Sequence, residues 1–159
     1  MKNLKLLLFI PLALVAFFST HVSAEQDAVD SAYDPELAAA LGADEYGMRS
    51  YVLVTLVTGE VEIADEQRLS EVFAGHFANM SRLAEEGKLV LAGPLIDARP
   101  KRGIFIFNVT TIEEAEKLVQ TDPAVKAGVL AYELTSLYSS AALMKINEIH
   151  HSIQKTRVE

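Results

Sequence analysis

Residues 75–94, Gly75-His76-Phe77-Ala78-Asn79-Met80-Ser81-Arg82-Leu83-Ala84-Glu85-Glu86-Gly87-Lys88-Leu89-Val90-Leu91-Ala92-Gly93-Pro94, decide how this chain is read. Leu69, Val72, Phe73, His76, Met80 and Leu83 recur at steps of three and four, so a helix would place them on one face. That face is apolar except for His76. Gly87 follows the last periodic turn, where a residue of positive φ is wanted to close a helix. The run from Lys88 to Leu95 is too short for a second helix and reads as a buried strand, with Gly93 and Pro94 turning the chain near its end.

Outward from this stretch, Arg49 to Thr58 (RSYVLVTLVT) is rich in β-branched and aromatic residues and predicts a strand. Asp65 is placed to cap a helix over Glu66–Glu86. After strand two, an irregular loop through Asp97, Arg99 and Pro100 leads to a third strand, Arg102–Val109. Thr110 and Thr111 each precede a glutamate by three residues, the capping-box spacing, and open a helix over Ile112–Gln120. Asp122-Pro123 starts one more helical turn, and Val129–Leu137 forms the fourth strand. The order β-α-β-β-α-β is that of a ferredoxin-like α+β fold. Strands one and three are apolar on both faces, yet two helices cover only one face of a sheet. A second copy of the chain is the economical cover for the other. Ser139–Ile153 reads as a C-terminal helix with Leu143, Ile146, Ile149 and Ile153 on one stripe.

The ends carry a different message. Lys2 and Lys5, the apolar run Leu6–Phe18 and Val22-Ser23-Ala24 have the order of an export signal over residues 1–24, which predicts a periplasmic or secreted protein. Residues 25–47 are acidic and alanine-rich and read as a leader, with one helical turn expected at Pro35–Leu41. The domain itself is expected over 48–138, and 139–159 as a helical extension. Without residues 1–24 the chain holds 12 basic and 22 acidic residues, a formal charge of −10. Such a balance disfavours nucleic acid and anionic membrane surfaces as partners. No cysteine is present, so disulfides, thiol chemistry and cysteine-based metal sites are excluded.

His76 followed by LAEEGKLVLAGPL, then RGIFIF, then TDPAVKAGVL resembles the YCII-related (YciI-like) family over roughly residues 49–138. The resemblance implies a dimeric α+β barrel, in which two ferredoxin-like sheets pack face to face. It also implies a site built on a His–Asp pair, carried here by His76 and Asp122, with the family's Gly-Pro matching Gly93 and Pro94. Where the family often has an aromatic residue after Asp-Pro, Ala124 stands here, so the substrate class does not carry over. The fold's small-molecule chemistry suggests a cofactor-free lyase or isomerase with His76 as base. A non-catalytic module that binds a small molecule in the same pocket is the alternative, and a haem protein with His76 as axial ligand is a distant third. Tyr51 and Arg102, at the starts of strands one and three, are candidate substrate-binding residues. Asp122 is also an ordinary N-cap before Pro123, and one carboxylate can serve both roles. His150 and His151 are adjacent and diverge on a helix, so they read as surface residues and not as metal ligands.

Overall fold

The computed structural model describes residues 32–156 of the chain, and the export signal expected over residues 1–24 lies outside them. From Pro35 onward the chain forms one compact unit. It contains α1 (Pro35–Leu41), β1 (Met48–Thr58), α2 (Glu66–Glu85), β2 (Leu89–Pro94), β3 (Lys101–Phe107), α3 (Ile112–Val119), α4 (Pro123–Lys126), β4 (Leu130–Ser140), a 3-10 turn (Ala141–Lys145) and α5 (Ile146–Ile153). The four strands make one antiparallel sheet in the order β2-β3-β1-β4, the ferredoxin-like topology.

The local signals act as the side chains require. Asp65 Oδ1 accepts from the backbone N–H groups of Gln67 and Arg68 at 3.0 and 3.1 Å, which fixes the start of α2. Gly87, at φ +67°, ends it: its N–H donates to Ala84 and that of Lys88 to Leu83, which satisfies the last carbonyls of the helix. Thr111, not Thr110, caps α3 by accepting from Glu114 N–H at 3.2 Å.

Strand register decides the two faces. Val52 lies opposite Phe107 and Val54 opposite Phe105, so these residues share one side of the sheet. With Leu56 and Leu130 they form the main core against Val72 and Leu83 of α2 and Ala115 and Val119 of α3. On the other side Tyr51, Val90 and Ile106 form a second, smaller cluster, covered by Leu143 and Met144 of the 3-10 turn. Leu53, Val57 and Ile104 on that side are half-buried.

The C-terminal region departs from its sequence reading. The helix expected from Ser139 does not start there, because β4 pairs with β1 through Ser140, opposite Met48. The expected apolar stripe is split as well. Leu143 packs on the sheet, whereas Ile149 and Ile153 are 55% and 74% exposed on α5. The helical turn expected at Pro35–Leu41 is present as α1. From Pro35 the residues of the leader belong to the compact unit, tied down by Ala141 N–H donating to Gly47 and Arg49 Nη1 donating to Leu41. Among the described residues, no helix is long and apolar enough to cross a membrane.

Candidate functional site

His76 stands on the sheet-facing side of α2 and is 7% exposed. Its Nδ1 lies 2.7 Å from Oδ2 of Asp122, whose side chain is fully buried. A carboxylate accepts, so the imidazole donates through Nδ1, and in the neutral ring the lone pair is then on Nε2. Asp122 Oδ1 accepts from Ala124 N–H at 2.8 Å as the cap of α4. One carboxylate thus starts a helix with one oxygen and orients the imidazole with the other.

Three phenyl rings frame the imidazole. Phe73 and Phe77 meet it edge-on, at centroid distances of 5.9 and 5.4 Å, and Phe105 stacks beneath it at 5.9 Å. The approach of α4 to α2 depends on Gly75. A Cβ there would stand 3.0 Å from Cγ of Pro123, the residue next to Asp122. Farther along the helix, Asn79 Oδ1 accepts from Arg82 Nη2 at 2.8 Å and from Thr121 Oγ1 at 3.0 Å, which ties the segment before Asp122 to α2.

His76 borders a cavity of about 690 Å³ between α2, the sheet and α5. Its walls include Phe73, Phe77, Met80, Leu89 and Phe105. Within the described residues His76 Nε2 makes no hydrogen bond. Nor is it among the buried side-chain atoms without a partner, a condition met only by Arg49 Nε. The free nitrogen therefore reaches accessible space.

The structure brings most of the expected site residues together and sends one elsewhere. His76, Gly93, Pro94 and Arg102 line the cavity, and Asp122 backs His76 from the core. Tyr51 is on the opposite face of the sheet. It is 1% exposed against Val90 and Ile106, and its hydroxyl donates to the Ser140 carbonyl at 3.1 Å. Because β1 is apolar on both sides, its pattern alone does not say which side the helices cover.

His150 and His151 are exposed, in keeping with their reading as surface residues, and they also line the cavity together with Asn147 and Gln154 of α5. A helix periodicity carries no information about the strand edge it will lie along. Among the described residues, no three His, Asp or Glu side chains are grouped to hold a metal ion.

A ferredoxin-like α+β domain with a carboxylate-oriented histidine facing an apolar cavity defines the class. The chain belongs to the YCII-related family: residues 50–137 match the YCII-related domain. It is 31% identical over 81 residues to the uncharacterized protein YjpA of Bacillus subtilis (strain 168), covering 51% of this chain and 85% of that one. Among solved structures it is similar to 5-chloro-2-hydroxyhydroquinone dehydrochlorinase (TftG) from Burkholderia phenoliruptrix AC1100 in complex with 2,5-dihydroxybenzoquinone. The TM-score is 0.40 and the identity 20%, over 53% of this chain and 90% of that one.

Proposed function

We propose that this protein is a cofactor-free enzyme of lyase or isomerase type that moves a proton on a small organic molecule, with His76 as general base. The observation that carries this reading is the imidazole whose Nδ1 is held at 2.7 Å by a buried carboxylate while Nε2 is left unbonded beside a cavity of about 690 Å³. Such a cavity has the volume of an ordinary small-molecule site, about 300–1,000 Å³. Nε2 accepts a proton from a carbon or hydroxyl of the bound molecule, and Asp122 stabilises the imidazolium that results. Returning the proton at another atom gives an isomer, and loss of a leaving group gives an elimination product.

The test is Asp122→Asn. The amide oxygen keeps the cap of α4, since Asn caps a helix nearly as well as Asp. The amide nitrogen replaces Oδ2 and donates to Nδ1, so the proton moves to Nε2 and the base loses its lone pair. In a screen of small organic molecules followed by mass spectrometry, the wild-type protein should convert at least one compound. The variant should do so roughly 100-fold or more slowly, the scale of general base catalysis, with its circular dichroism unchanged. Equal turnover by the two proteins would overturn the reading, and so would binding without conversion across the screen.

We also propose that a second copy of the chain covers the open side of the sheet. The support is the half-buried apolar pair of Val57 and Ile104, which lie outside the cluster that the protein's own C-terminal segment covers, with Leu53 half-buried at the border of that cluster.

A further inference from the structure

The cavity does not share the acidic balance of the chain. Counted with histidines neutral the protein carries a formal charge of −8, whereas the cavity walls hold one cation, Arg102, and one acid, the exposed Glu85, beside three histidines, His76, His150 and His151. Arg102 is half-buried, and within the described residues its guanidinium makes no ion pair and no hydrogen bond. A guanidinium partly withdrawn from water favours a carboxylate partner.

The wall opposite α2 lies outside the matched domain: it is residues 146–153, and the match ends at 137. α5 is fastened along the edge strand β2 by Asn147, whose Nδ2 donates to the Leu89 carbonyl at 2.7 Å. The Asn147 carbonyl in turn accepts from Nδ1 of His151 at 2.6 Å, which leaves His151 Nε2 as the free nitrogen. The same residue thus sets both the position of the wall and the tautomer of a histidine on it.

We propose that the cavity takes a small organic anion, a flat apolar body with one carboxylate, that the carboxylate pairs with Arg102, and that α5 is the wall that retains the body. This deepens the reading of His76 as base by giving the class of molecule it faces, and it rests on that reading only for the chemistry, not for the binding.

The test uses 2-naphthoate and its uncharged counterpart 2-naphthalenemethanol, titrated calorimetrically into the full chain. The naphthoate should bind roughly ten- to a hundredfold more tightly, the range of a hydrogen bond to a charged group. Arg102→Gln should abolish that preference and leave the affinity for the alcohol unchanged, while Arg102→Lys should restore part of it. Asn147→Ala should weaken both ligands together, because it releases the wall without removing the cation. Equal affinity of the wild-type protein for the two compounds, no binding of either, or a preference that survives Arg102→Gln would each overturn the proposal. Asp122→Asn separates the two readings. It should leave the preference for the anion intact, so a failure of catalysis with the preference retained counts against the base alone.

Discussion

Asp122 satisfies two demands with one carboxylate, and residue chemistry of this kind recurs at the other end of the molecule. There Tyr138 donates to Oδ2 of Asp44, while Asp44 Oδ1 accepts from the N–H groups of Tyr46 and Met48, both at 2.9 Å. The hydrogen bond from Tyr138, followed by that from Met48, lowers the Asp44 carboxyl below its ordinary 3.8. The same bond pushes the Tyr138 phenol from 10.0 up to about 12. A raised phenol contributes stability that is complete below pH 10.0 and lost as the pH climbs through about 12. A lowered carboxyl contributes stability present above 3.8 and lost as the pH falls through its folded value. An ultraviolet phenolate titration should therefore show one tyrosine ionising near 12, assigned by its disappearance in Tyr138→Phe. Asp44→Asn should move it back towards 10.0. A transition unmoved by Asp44→Asn would refute the pairing. Tyr51 also ionises above its usual range, because burial disfavours the phenolate, so the assignment by Tyr138→Phe is needed.

At the scale of elements, the site depends on how closely α4 approaches α2. Alanine at a helix interior is favoured over glycine by about 1 kcal/mol, so Gly75→Ala would stabilise an isolated α2. In the folded protein the added methyl stands 3.0 Å from Pro123 Cγ and 3.2 Å from its Cβ. Pro123 must give way by a few tenths of an ångström, and Asp122 moves with it. The two effects oppose each other, so the melting temperature should change little. The His76–Asp122 hydrogen bond should lengthen, seen as an upfield shift or broadening of the Nδ1 proton in the NMR spectrum. An unchanged Nδ1 resonance would show that α4 is not set by this contact. The 3-10 turn and α5 illustrate a different dependence. The turn packs on one face of the sheet through Leu143 and Met144, whereas α5 lies against its edge. A single straight helix over the same residues would not follow that path.

At the scale of the molecule, two proposals concern the assembled protein in its own host. We propose that residues 1–24 are an export signal cleaved before Glu25, on the order of their basic, apolar and small residues, and that the open sheet face takes a second copy. Intact mass of the exported protein should begin at Glu25, and light scattering should report a dimer. Leu53→Asp should yield monomer, because a carboxylate in a buried apolar interface without a partner costs several kcal/mol. Leu53, half-buried at the border of the cluster under the C-terminal segment, is the better site for this test than Ile106, which is 8% exposed within it. Retention of Met1 in a membrane fraction would overturn the export reading. A folded wild-type monomer at micromolar concentration would overturn the dimer.

What the sequence by itself determined is the part governed by local chemistry. Caps at Asp65 and Thr111, the stop at Gly87 and the alternation of the strands specify element order, because each acts within a few residues. The same periodicity puts His76 on an apolar helical face, where an ionisable group stands out. The partner of that histidine is 46 residues away. Its pairing with Asp122 came from the family resemblance, since nothing in the local pattern of Thr121-Asp122-Pro123 distinguishes a cap from a cap that also holds an imidazole. Only the tertiary structure decided that Tyr51 faces away from the cavity, because a strand apolar on both sides does not encode which side the helices will take. Only the tertiary structure brought α5 to the cavity as well. Its position depends on the free edge of β2 and on the Leu89 carbonyl that Asn147 meets there, and neither is a property of the helix itself.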